Sequence, residues 1–152
     1  MEAFAAPVLL IPLAVWVGAI VFQSAIVAPA VFAALDAENA RLFLRTLFPR
    51  FFRMGIVCGS IMIAGVIALG LVARWSDKLL TIAALSAVML ILQIVSLKLV
   101  PHINAARDAG EAGSARFHSL HRLSVGFTVV VLLLGTIALV IVGASAATGL
   151  VT

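Results

Sequence analysis

Four stretches of this chain contain no Asp, Glu, Lys or Arg: residues 3–35, 54–73, 79–97 and 123–152. Each reaches the roughly 17–25 residues that a helix needs to cross about 30 Å of hydrocarbon. Backbone inside lipid must pair its N–H and C=O groups internally, so runs of this kind form helices. Composition agrees, with 64% of the 152 residues apolar and 11% charged, against about 25% charged in soluble domains. The expectation is an all-α, polytopic membrane protein: one domain over residues 1–152, a bundle of four transmembrane helices near 5–35, 53–74, 78–101 and 118–148. The first run opens Met-Glu with no Lys or Arg before Arg41. It lacks the basic n-region of a cleaved signal and is expected to be retained. Cys58, the single cysteine, has no partner for a disulfide within the chain and reads as a small apolar packing residue.

The net charge of +4 is concentrated between the spans. Loop one holds Arg41, Arg45, Arg50 and Arg53, and loop three holds Lys98, Arg107, Arg116 and Arg122. The short loop two has Arg74 and Lys78 alone. The positive-inside rule then makes loops one and three cytoplasmic and puts both termini outside an inner (plasma) membrane, with Trp75 as an anchor at the outer interface. No basic surface is left over for nucleic acid, so that function is set aside.

Within the spans the polar residues fall on faces. Gln23 lies seven residues after Trp16 in the first span, and Ser86, Gln93 and Ser96 share one side of the third. Such groups are best satisfied by a neighbouring helix, in bonds worth roughly 0.6–2 kcal/mol. Pro29 is expected to kink the first helix near its inner end. In loop one, Asp36 is a candidate N-cap with Glu38 in the first turn. Arg41 and Arg45 share one face, with Phe43, Leu44, Leu47 and Phe48 on the other. That pattern suits a short amphipathic helix at the interface, ended by Pro49, or else an extension of the first helix. Gly55 and Gly59 form a GxxxG pattern for close helix packing, within the bundle or between subunits.

The three histidines, His102, His118 and His121, all belong to the loop-three end. His118 and His121 are neighbours on one helix face. With His102 crossing over, they either form a candidate imidazole site for copper, zinc or haem iron, or are interfacial histidines hydrogen-bonded to backbone or lipid headgroups, the reading their generic spacing favours. Ser124 and Thr128 continue the His121 face into the membrane. Lys98 and Arg122 at the bilayer edge could bind an anionic headgroup, or simply snorkel. No carboxylate lies inside a span, and no phosphate-binding loop, dinucleotide fingerprint or catalytic elbow is present. A proton-coupled pump or a soluble-type enzyme does not fit this inventory.

The segments Trp16-Val-Gly18-Ala-Ile-Val-Phe22, Pro29 and Leu47-Phe48-Pro49-Arg-Phe51-Phe52-Arg-Met-Gly55 resemble one small membrane family. It is the four-helix domain of unknown function shared by bacterial proteins and the eukaryotic transmembrane protein 205 group. Pro101, Arg107 and Phe117-His118-Ser-Leu-His121-Arg122-Leu-Ser124 are similar to its second half. The opening helix also resembles the CopD copper-resistance membrane domain, a kinship that implies handling of copper or another metal. From the residues, the leading expectation is a non-enzymatic bundle in the lipid bilayer. It would act as a homo-oligomer or within a larger complex, as accessory subunit or small permeation unit. The rivals are a haem- or metal-dependent membrane oxidoreductase, comparable in size to HemJ-type protoporphyrinogen oxidases, and a CopD-like metal transporter.

Overall fold

The computed structural model describes the backbone of residues 2–151 and the side chains of residues 7–72 and 74–146. Helix α1 (Glu2–Phe22) runs through a π-helical turn (Gln23–Val27) into α2 (Ala28–Ala34), so the three make one interrupted span. Then follow α3 (Ala37–Ala73), α4 (Asp77–Asp108), a 3₁₀ turn (Gly110–Gly113) and α5 (Ser114–Val151). Four of these segments, 7–34, 37–72, 77–108 and 110–146, are long and apolar enough to cross a membrane. Short connections make the bundle up-down-up-down. Its helices pack in a ring, α1 on α3, α3 on α4, α4 on α5 and α5 back on α1.

One expectation is corrected here. Residues 37–53 do form a helix, but neither a separate one nor an extension of the first. They are the opening turns of α3, which passes Pro49 without a break. The chain breaks instead at Leu35–Asp36, where the Asp36 carboxylate accepts from the Glu38 and Asn39 backbone N–H groups at 3.1 and 2.9 Å. The Asn39 amide also donates to it, at 2.7 Å. Those bonds, the Asn39 backbone N–H first, hold the Asp36 carboxyl below the usual carboxylate range. A helix of 37 residues is about 55 Å long, against about 30 Å of hydrocarbon, so the end bearing Arg41 and Arg45 stands clear of the membrane core.

Inward-facing positions repeat in steps of three and four. On α1 they are Leu9, Leu13, Trp16 and Ile20, continuing to Gln23; on α4 they are Leu79, Ile82, Ser86, Met89, Gln93, Ser96 and Val100. This 3.5-residue period is that of helices packing at small crossing angles. The outer face is as apolar as the inner, with Leu71 at 78% exposure and Ile11 at 63%, because lipid is the solvent on that side. The buried polar residues Gln23, Ser86, Gln93, Ser96 and Ser124 are therefore inside rather than out.

The GxxxG face closes within the chain. A methyl group at Gly59 would come within 3.0 Å of the Trp16 ring and of Leu90; at Gly55 it would strike Trp16 Nε1 and Gln93 Nε2. The missing side chains thus admit an indole that is fully buried. At the opposite corner Trp75 is half exposed and lies over Gly70.

Candidate functional site

The ring of helices is incomplete at one end, and sequence explains why. Pro29 has no N–H to donate into the helix, and just before it the chain widens by one residue per turn. The Ala28 N–H bonds to the Gln23 carbonyl, five residues back. Such π-turns mark places where a helix gives up regularity for function. Beyond the turn, α2 touches the π-turn and α3 but, among the described residues, neither α4 nor α5.

A cavity of about 690 Å³ fills the vacated corner, a volume within the range of small-molecule sites, about 300–1,000 Å³. Its walls are apolar and aromatic: Phe32, Leu44, Phe48, Phe51, Phe52, Val100, Ile103, Val125 and Val129. Its polar lining is Gln23, Ser24, Arg41, Arg45, Asn104, Arg107, His118, His121, Ser124 and Thr128. No carboxylate lines it among the described residues.

The basic groups are held by contacts between helices. Arg41 and Arg45, one turn apart on α3, both reach Asp108 at the end of α4: Arg41 Nη1 stands 3.3 Å from Oδ1, and Arg45 Nη2 pairs with Oδ2. Arg45 Nη2 also donates to the Asn104 carbonyl at 3.3 Å. Its Nε is buried and has no hydrogen-bond partner among the described residues. On the α4–α5 side, the Arg107 guanidinium lies 4.5 Å above the centre of the Phe117 ring, a favourable cation–π contact. Phe117 in turn stacks on His121 at 5.5 Å and 6°, with His118 edge-on at 5.4 Å. Gly113 brings the 3₁₀ turn against α4 so closely that a side chain there would meet the Ala106 carbonyl oxygen.

A family model described as a domain of unknown function, DUF4149, matches residues 11–112 of this chain. The chain belongs to the DUF4149 family. No curated protein and no solved structure matches it. The DUF4149 match takes in the π-turn and Arg41, Arg45 and Arg107, whereas His118 and His121 lie beyond it.

Within this DUF4149 fold the candidate residues from sequence separate into three groups. His118, His121, Gln23 and Ser124 line the cavity. His102 does not; its Nδ1–H donates to the Lys98 carbonyl of its own helix at 3.0 Å. Among the described residues no three His, Cys, Asp or Glu side chains gather into a metal site, so His102, His118 and His121 are not assembled as one. Lys98 and Arg122 are exposed and outside the lining. Gln93 and Ser96 lie deeper, on the inner face of α4. There Trp16 Nε1, Gln93 Nε2 and Ser86 Oγ are buried without hydrogen-bond partners among the described residues. Gly55 and Gly59 lie outside this cavity's lining and serve the Trp16 packing.

The sequence reading overlooked Arg41, Arg45, Arg107, Asn104, Asp108, Phe51 and Phe52 as site residues and misplaced two others. Leu44 and Phe48 share the cavity with Arg41 and Arg45 instead of facing away from them. One signal was present, since positions 41, 44, 45 and 48 follow a single helical stripe.

Proposed function

We propose that this DUF4149 protein is a non-enzymatic membrane protein that holds an anionic amphiphile in the cavity between α2, α3, α4 and α5. The basic end would face the cytoplasm and both termini the outside, as the arginine-rich loops favour. One observation carries the reading. A single cavity combines apolar, aromatic walls with a rim of Arg41, Arg45 and Arg107, and no carboxylate in its lining offsets them. Aromatic walls accept a hydrocarbon tail, and guanidinium groups accept an oxyanion head.

The interior beyond the cavity favours holding over conducting. Leu9, Leu13, Val66, Ile82, Ala138 and Val142 are all buried and fill the bundle toward its other end. The oligomer expectation drew on Gly55 and Gly59, and that support passes to the bundle interior, since both receive Trp16 of the same chain. Kinship to the transmembrane protein 205 group or to CopD rests on the short motifs quoted above. A second reading, haem binding, is favoured by one feature: His118 and His121 line this cavity beside guanidinium groups able to pair with carboxylates.

Extraction of the protein purified from its native membrane tests these readings together. The expected result is one anionic amphiphile, stoichiometric with the chain and enriched over bulk membrane lipid. It should be lost from Val125→Trp, which fills the cavity. A Soret band in the purified protein would transfer the site to haem. An extract that mirrors bulk lipid in both proteins would overturn the proposal.

A further inference from the structure

The rim of the cavity carries more positive charge than its single partner can balance. Arg41, Arg45 and Arg107 all line it, and among the described residues the carboxylate that reaches any of them is Asp108, which is shared by Arg41 and Arg45 and lies outside the lining. Three guanidinium groups against one carboxylate leave an excess of two positive charges. Arg45 Nε, buried and unpartnered, adds a donor that still requires an acceptor, and an unpaired buried donor is costly. Arg107 has its flat face on Phe117, which leaves the N–H groups around its edge free to point at a ligand. The donors come from α3 on one side of the cavity and the end of α4 on the other.

A carboxylate offers one charge and two oxygens to this arrangement. A phosphate monoester offers close to two charges and three terminal oxygens. We propose that the headgroup held at this rim is a phosphate: a phosphomonoester or diphosphate, attached to the apolar chain that occupies the walls of Phe48, Phe52 and Val129. The inference rests on the reading of the cavity as an amphiphile site, and it selects the headgroup class.

Calorimetric titration of the protein in a neutral maltoside detergent separates the two claims. Dodecyl phosphate, dodecanoate and inorganic phosphate are compared at a pH about two units above the phosphate's second pKa of about 6. Dodecyl phosphate is expected to bind more tightly than dodecanoate by about tenfold or more, the size of one added charge-assisted contact. Inorganic phosphate is expected not to bind at the same concentration. Arg107→Gln should reduce dodecyl phosphate to the dodecanoate level. Asp108→Asn should raise its affinity, because Arg41 and Arg45 lose their competitor; misfolding would not produce such a gain. Arg74→Gln, at the opposite end of the bundle, should change nothing.

Equal binding of the two dodecyl compounds, or an Asp108→Asn variant with no gain, would overturn the headgroup assignment and leave the amphiphile reading standing. Binding of neither would overturn both. Inorganic phosphate binding as tightly as dodecyl phosphate would overturn the amphiphile reading and assign the rim to free phosphate.

Discussion

Gly55→Ala is expected to destabilise the detergent-solubilised protein by about 1–3 kcal/mol or more, the usual cost of overpacking a tight core. Gly55→Leu should prevent folding altogether. The added methyl would stand 2.3 Å from Gln93 Nε2 and 2.6 Å from Trp16 Nε1, far inside contact distance. Neither neighbour has room to retreat, since Trp16 is fully buried and Gln93 is 3% exposed. The clash is specific, so it can be relieved specifically. Gln93→Ala in the Gly55→Ala background should recover part of the lost stability, a coupling read from a double-mutant cycle of melting temperatures. Additive effects of the two substitutions would show that the pair does not meet as described.

Gly113→Ala should be the most damaging small substitution at the cavity end. Its Cβ would lie 1.9 Å from the Ala106 carbonyl oxygen, and a backbone atom of a buried helix turn cannot rotate aside. The 3₁₀ turn would have to move, and with it the start of α5 that carries Phe117 and His121. Gly110 provides the contrast. It adopts φ +60° with open space around it, so alanine there costs only the conformational penalty, about 1–2 kcal/mol. Melting temperature should fall further for Gly113→Ala than for Gly110→Ala. Affinity for an anionic amphiphile should fall only for Gly113→Ala, because that variant alone separates Arg107 from the α5 side of the rim. Equal effects at both glycines would mean that the turn does not position the site.

Sequence made the four spans legible because lipid imposes one rule on every residue within them: charged side chains stay out and backbone pairs internally. The same rule made the inward faces readable, since Gln23, Gln93, Ser86 and Ser96 had nowhere else to go. Continuity through Pro49 was hidden. Proline reads as a helix breaker, yet α3 passes Pro49 unbroken. The α2 segment was half visible, because Pro29 announced an irregularity without saying that the helix would widen into a π-turn. The rim was out of reach. Arg41 and Asp108 are 67 positions apart, and only the packing of α3 on α4 brings them together. The histidines stood open between a ligand set and interfacial residues bonded to backbone, and the His102 ring turns back to its own helix.

The central claim is that the cavity, and not the surrounding lipid shell, holds the amphiphile. Photocrosslinking tests it most directly, using a dodecyl phosphate with a diazirine near the tail terminus and peptide mapping of the labelled protein. Labelling is predicted at Phe52, Val100 and Val129, saturable and displaced by unlabelled dodecyl phosphate. Labels spread instead over the outward residues Ile11, Leu71 and Leu133, rising in proportion to probe concentration, would contradict it.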